Sequence, residues 1–331
     1  MNLEKRISLL TFIGQYIKSN SAAFQEKKER AYAENKWFTL PFIDLAANNI
    51  ADSLLIEQNL ELFVKKLNIE NVTISQKTVG IVMAGNIPLV GFHDLLCVFL
   101  SGHKQRIKLS SKDSVLIPHL IEIAKNKFPE LGEYIQFSDM LKGCDAYIAT
   151  GTNNSARFFE YYFGKHPHVI RKNRTSIAIL DGDETIENLE MLADDIQLYF
   201  GLGCRNITQV LVPENYDFLP LLNALRKYEY FRDHDKYKNN FDYYLTIAIM
   251  NNQYYMTNDS ILLIQNESPF SPIGQLNYRY YKSKEEVLKR LNNDEIQTII
   301  GRDFQQFGTT QKPGLQDFAD GINTMTFLQS L

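Results

Sequence analysis

The sequence predicts an α/β protein in two parts, each built on a parallel sheet. From about Val79, short apolar runs alternate with helical stretches, and the alternation resumes after about residue 175. Strand–helix alternation of this kind calls for parallel strands covered on both faces. Size agrees: 331 residues, 44% of them hydrophobic, can bury a substantial core and favour two domains over one.

Taken in order, residues 1 to about 70 read as helical. Apolar residues recur at spacings of three and four in Ile7–Ile17 and in Phe42–Leu67. The start is periodic without a small-residue cleavage site, so it reads as an amphipathic helix and not as a leader. VGIVMAG reads as a buried strand, and Pro88 as the first-turn residue of an apolar helix through Leu100. QRIKLS is a second strand and 114–128 a second helix. YIQFS is a third strand, and DAYIATG a fourth, followed by a helix from about Asn154 to Tyr162. SIAILDGD and a helix over 184–200 open the second part, and that helix stops in the glycine turn GLGC. TQVLVP and a helix over 217–228 repeat the unit. Residues 229–256, rich in tyrosine and asparagine, read as a helix with irregular flanks. ILLIQ, a strand near IGQLNYRYY, a helix at 284–292, a strand at QTIIG and a Gly/Thr-rich tail follow.

Charge excludes some functions. The 35 basic and 39 acidic residues are well mixed and leave a net charge of −4. Binding to nucleic acid or to an anionic membrane surface would call for a basic patch, and none is visible. No run approaches the roughly 18 apolar residues of a membrane span. The three cysteines, Cys97, Cys144 and Cys204, form no CxxC pair, which argues against a disulfide framework and a structural zinc site. A reducing cytoplasm is the expected location, and the Asn-x-Thr triplets at Asn71, Asn173 and Asn206 are then incidental.

Cys204 is the first candidate for chemistry. It lies in Gly201-Leu-Gly-Cys204-Arg205-Asn206, where glycines allow close approach to a ligand and an adjacent arginine favours the nucleophilic thiolate. The plain alternative is a buried structural cysteine, the reading given to Cys97 and Cys144. Asn86, in Met83-Ala-Gly-Asn86-Ile-Pro88, falls at a strand-to-helix turn, where open α/β sheets bind ligands. Its amide can donate to a developing oxyanion; alternatively it only caps the helix after Pro88. Ala149-Thr-Gly-Thr152-Asn-Asn-Ser155 joins a strand to a helix start, where exposed N–H groups suit a pyrophosphate. The usual dinucleotide fingerprint and the P-loop are both missing. His166-Pro-His168 reads as a loop pair pointing apart and not as a metal site.

The order of these segments resembles the aldehyde dehydrogenase superfamily, and within it the acyl-CoA reductases related to the fatty-acid reductase of bacterial bioluminescence. The resemblance spans about residues 79–331. AGNIPLVG is similar to the superfamily's Pro-x-Asn-x-Pro turn, FGLGCRN to its Gly-Gln-x-Cys segment and Glu267-Ser-Pro-Phe270-Ser-Pro272 to Glu-x-x-Phe-Gly-Pro. IKLSSKDS resembles the Lys-Pro-Ser-Glu segment, ATGTNNSARFF the Thr-Gly-Ser turn, and Phe307-Gly308 the tail segment.

The resemblance implies an aldehyde dehydrogenase-like α/β fold. A Rossmann-like, parallel-sheet nucleotide-binding domain (76–174) would follow an N-terminal helical region (1–75) and precede a second α/β catalytic domain (175–310) and a C-terminal tail (311–331). It implies Cys204 as nucleophile, with Asn86 and the Cys204 N–H holding the thioester oxygen. Lys108 would contact the adenosine ribose with Ser110 or Ser111 nearby, Gly151 and Thr152 would approach the pyrophosphate, Glu267 would bind the nicotinamide ribose, and Phe270 would pack near the nicotinamide. The implied activity is reduction of a fatty acyl-CoA thioester, or of an acyl carrier protein thioester, to an aldehyde. The cofactor is NADPH, with NADH as the alternative, and no metal is called for. Rival readings are a dehydrogenase that makes free acid and a non-catalytic binding subunit. One departure bears on this choice: aligning Ser176 with the family's serine puts Arg171 where aldehyde-oxidising members carry a general-base glutamate. The family's oligomerisation arm is not recognisable, which leaves homo-oligomerisation open.

Overall fold

Asn2 opens the first helix by accepting the Lys5 N–H on its side chain at 3.0 Å. Asn20, in the left-handed region, closes it. This helix, α1 (Leu3–Ser19), buries Ile7, Leu10, Ile13 and Ile17, the stripe its spacing predicts. In this computed structural model, which describes residues 1–73, 75–291 and 294–331, α1 belongs to the first of two compact units, Met1–Asn173 with Pro313–Leu331. The second unit is Arg174–Lys312.

In the first unit α2 (Ala22–Glu34), α3 (Leu40–Ser53) and α4 (Glu57–Lys66) complete the N-terminal helices. The parallel sheet consists of β1 (Thr78–Val82), β2 (Lys104–Lys108), β3 (Ile135–Phe137), β4 (Ala146–Thr150) and β5 (His168–Arg171), in the order β3-β2-β1-β4-β5. Between these strands lie α5 (Phe92–Ser101), α6 (Leu116–Lys127) and α7 (Asn153–Phe163). One apolar core joins the N-terminal helices to the sheet through Leu10, Ile43, Ile81, Leu96 and Ile148. Each such side chain contributes roughly 1.5–3 kcal/mol on full burial.

The second unit has a six-stranded sheet. Its strands are β6 (Thr175–Ile179), β7 (Ile207–Pro213), β8 (Tyr255–Thr257), β9 (Leu262–Gln265), β10 (Gln275–Tyr281) and β11 (Ile296–Ile300), ordered β11-β6-β7-β10-β9-β8. Among the described residues, only the edge strand β8 runs antiparallel to its neighbour. Every residue of β6 is buried, as befits a strand covered on both faces. The helices are α8 (Ile186–Gln197), α9 (Leu219–Leu225), α10 (Asp235–Met250) and α11 (Lys284–Arg290). After Lys312 the chain returns to the first unit, where α12 (Thr324–Gln329) buries Met325 and Leu328 in the core. No helix among the described residues is long and apolar enough to cross a membrane.

Three local expectations are corrected. First, α5 begins at Phe92 and not at Pro88. Residues 86–91 form a turn in which Leu89 is left-handed (φ 60°), because Asp113 takes the Leu89 amide. Second, His168 starts β5 and is not in a loop. Its pairing with Tyr147 on β4 is long-range, which local pattern cannot reveal. Third, α8 stops at Gln197, because Tyr199 and Phe200 both turn left-handed (φ 57° and 58°). The expected end of the helix over 284–292 lies outside the described residues.

Candidate active site

In the first unit the predicted residues gather where β1, β2 and β4 end. The strand order reverses between β1 and β4, and ligands of doubly wound sheets bind at that switch, beyond the carboxyl ends of the strands. Asn86 follows β1, Lys108 is the last residue of β2 with Ser110 just beyond it, and Gly151 and Thr152 follow β4. Asn86 lies in the turn before α5 and is not its N-cap, which is Gly91 without a side-chain bond. Thr152 does cap α7: its hydroxyl accepts the Ser155 N–H at 3.2 Å. The first turn of α7 is exposed, and such a terminus presents unused N–H groups and a positive dipole end to an anion. Lys108 is exposed, and the Ser110 hydroxyl accepts the Lys112 N–H at 3.2 Å. These groups fit the phosphate and ribose portions of a nicotinamide dinucleotide.

In the second unit Cys204 is half-buried, whereas Cys97 and Cys144 are buried. Burial raises the pKa of both inner thiols, which keeps them protonated and unreactive. The loop that carries Cys204 is clamped by Asn206, whose side chain is 0% exposed. Its amide donates to the carbonyls of Asp195 (3.1 Å), Ile196 (3.2 Å) and Leu198 (2.9 Å), and its oxygen accepts the Gly203 N–H at 2.8 Å. One side chain thus satisfies the orphan carbonyls at the end of α8 and closes the turn before the cysteine. Ser176 on β6 donates to the Cys204 carbonyl at 3.0 Å. The left-handed residues cost about 1–3 kcal/mol each. Packing of the Phe200 ring against Phe231 (4.4 Å) and His234 (4.6 Å) offsets this.

The segment Glu267–Pro272 is held just as firmly. Gln209 donates to the carbonyls of Asn266 (2.9 Å) and Ser268 (3.1 Å), and Asn277 to those of Ser268 (2.9 Å) and Phe270 (3.0 Å). Thr208 donates to the Pro269 carbonyl at 2.5 Å and bonds the Thr175 hydroxyl. Consecutive residues of β6, Thr175 and Ser176, therefore brace the Phe270 and Cys204 segments. Glu267 itself is 81% exposed in its side chain and pairs with Arg279 at 3.1 Å. The Phe307-Gly308 segment is tied by the buried Asp195, which accepts from the Gly308 N–H (2.6 Å), the Thr310 N–H (3.0 Å) and the Thr310 hydroxyl (2.7 Å).

Arg171, at the end of β5, is buried. Its guanidinium pairs with Asp94 on α5 and donates to the Thr324 hydroxyl at 2.8 Å. Asp181, Asp183 and Glu184 bring carboxylate oxygens within 4.8 Å of one another. Lys284 pairs with Asp181 at 2.7 Å and Arg302 pairs with Asp183, so this group is a salt-bridge network.

Sequence reasoning passed over Asp113, Asn206, Gln209 and Asn277. Asn206 adjoins the cysteine motif, and a buried amide two residues after a candidate nucleophile is a signal that could have been used. Gln209 and Asn277 face each other across β7 and β10, a pairing that no local pattern contains.

No protein-family model matches the sequence, and no curated protein matches it. Solved structures match in fold. Aldehyde dehydrogenase 21 from Physcomitrella patens, in complex with the reaction product succinate, superposes with a TM-score of 0.66 at 13% identity, over 87% of this chain and 70% of that one. The NAD-dependent aldehyde dehydrogenase from Sinorhizobium meliloti does so with a TM-score of 0.65 at 12% identity, over 94% of this chain and 72% of that one. For the NAD+ complex of the Bacillus cereus aldehyde dehydrogenase the values are 0.60 and 13%, over 88% and 69%. At these identities the likeness is one of fold: the chain has the two-domain α/β fold of the aldehyde dehydrogenases.

Proposed function

We propose that the chain is an NAD(P)H-dependent acyl-CoA reductase that forms an aldehyde through a thioacyl intermediate on Cys204. The observation that carries this reading is the Cys204 loop: one accessible thiol on a turn clamped by a fully buried asparagine, while the other two thiols are buried. Cys204 attacks the thioester carbonyl as the thiolate. Asn86 and the Cys204 N–H donate to the oxyanion, coenzyme A leaves as its thiol, and the acyl group stays on the cysteine. Splitting one difficult displacement into two is the advantage of a covalent route. NADPH, when bound, supplies the reducing equivalents that release the acyl group as aldehyde. Lys108, Ser110, Gly151, Thr152, Glu267 and Phe270 hold that cofactor.

Arg171 supports reduction over hydrolysis. A guanidinium stays protonated and cannot act as a general base, and this one is already engaged by Asp94 and Thr324. The position that the resemblance gives to a general-base glutamate thus holds no base, and oxidation to free acid would need another carboxylate. The second reading, oxidation of an aldehyde to free acid with NAD+, is favoured by the names of the structures that share the fold. Purified protein offered NADPH and a panel of acyl-CoA thioesters should oxidise the cofactor and release aldehyde and thiol in equal amounts. Free acid formed from aldehyde and NAD+, with no thioester reduction, would replace this reading by the second.

A further inference from the structure

We propose that Asp113 is a positioning residue for Asn86, joining the cofactor-binding exit of β2 to the oxyanion-binding exit of β1. This rests on the role given to Asn86 above.

The contacts concerned all lie within the first unit. Two hydrogen bonds tie the turn that carries Asn86 to the exit of β2. At its start the Met83 N–H donates to the Lys108 carbonyl at 3.0 Å. At its end the Leu89 N–H donates to the Asp113 carboxylate at 2.8 Å. Asn86 sits between these two fastenings. The turn is also pressed onto the same segment: a Cβ on Gly85 would come within 2.5 Å of the Ser110 hydroxyl and 3.3 Å of the Asp113 Cβ. Only glycine fits there, so the Gly85 backbone, next to Asn86 in the chain, lies directly against Ser110 and Asp113.

The second fastening holds an unfavourable conformation. Leu89 is left-handed (φ 60°), a region that glycine adopts freely and a branched side chain avoids. Without an acceptor for its N–H the turn has every reason to relax, and Asn86 would move with it. Asp113 is only 5% exposed, and its other carboxylate oxygen is buried with no hydrogen-bond partner. An apolar side chain would pack there at lower cost. The Asp113 N–H donates to the Ser110 carbonyl at 3.1 Å, so the carboxylate is rigidly part of the loop that follows Lys108. One side chain thus fixes the oxyanion donor relative to the residues assigned to the adenosine ribose.

Acylation of Cys204 without cofactor isolates this effect, read as the first-turnover release of coenzyme A thiol. Asp113→Leu and Asp113→Ala bracket the packing change, so one folded variant suffices; Asp113→Asn keeps an acceptor for Leu89. The leucine or alanine variant should acylate about tenfold or more slowly. Half-saturation by acyl-CoA should stay within about threefold, because loss of a transition-state donor leaves ground-state binding alone. Asp113→Asn should recover most of the rate. A folded leucine or alanine variant that acylates at the wild-type rate would overturn the proposal, as would an asparagine variant as slow as the leucine one. Wild-type protein without thiol release, or an Asn86→Ala variant as fast as wild type, would instead remove the underlying role of Asn86, and this inference with it.

Discussion

Asp113 accepts the Leu89 amide with one carboxylate oxygen and keeps the other away from water. Burial pushes its pKa up to about 7, with only the Leu89 N–H acting in the opposite direction. A raised carboxyl pKa has a definite consequence for stability. The folded state binds the proton more tightly than the unfolded chain, so the contribution is fully present below about pH 4 and is lost as pH rises through about 7. The loss is about 4 kcal/mol at most, from a rise of roughly three units above the ordinary value. Asp113→Asn removes the ionisation. Its melting temperature relative to wild type should therefore be more favourable at pH 8 than at pH 5; equal differences at both pH values would contradict the assignment of a buried, proton-binding carboxyl. Neither role of Asp113 was legible in the sequence, where IKLSSKDS offers several polar residues and no sign of which one turns inward. The turns that carry Cys204 and Asn86 were legible, because glycine and proline mark them. Arg171 stood out in the sequence, but its partners, Asp94 and Thr324, lie 77 and 153 residues away in the chain.

At the scale of elements, the Cys204 turn is governed by Asn206 more than by the glycines around it. Asn206 meets the end of α8, the turn at Gly203 and the entry to β7, so its removal orphans several buried backbone groups at once. Asn206→Ala should cost about 2–4 kcal/mol of stability and leave Cys204 on a mobile turn. Urea unfolding and the rate of Cys204 acylation would both report this; a loss under about 0.5 kcal/mol would show that the clamp does not matter. The strands and most helices of the sequence reading lie close to their observed positions, because apolar runs and turn residues are local signals. The errors fall where tertiary contacts override them. Tyr199 and Phe200 have ordinary helix propensities, yet an aromatic cluster and the Asn206 clamp hold them left-handed. Leu89 behaves likewise under Asp113.

At the scale of the whole molecule, the fold is two parallel-dominated sheets, and the sequence announces it through repeated strand–helix alternation. The first sheet places Asn86, Lys108 and Gly151 at strand exits around its switch point. The second braces the Cys204 and Phe270 segments from neighbouring positions on β6. The return of α12 to the first core was not readable from a short Gly/Thr-rich tail, since it depends on where α5 lies. The central claim is that Cys204 carries the acyl group and gives it up to reduction and not to water. The most direct measurement is the mass of the intact protein after incubation with an acyl-CoA and no cofactor, followed by addition of NADPH. The account predicts one added acyl group, located on the Cys204 peptide, missing in Cys204→Ala, stable in buffer and released as aldehyde when NADPH is added. No adduct, an adduct on another residue, or an adduct that decays to free acid as fast without NADPH as with it, would contradict the account.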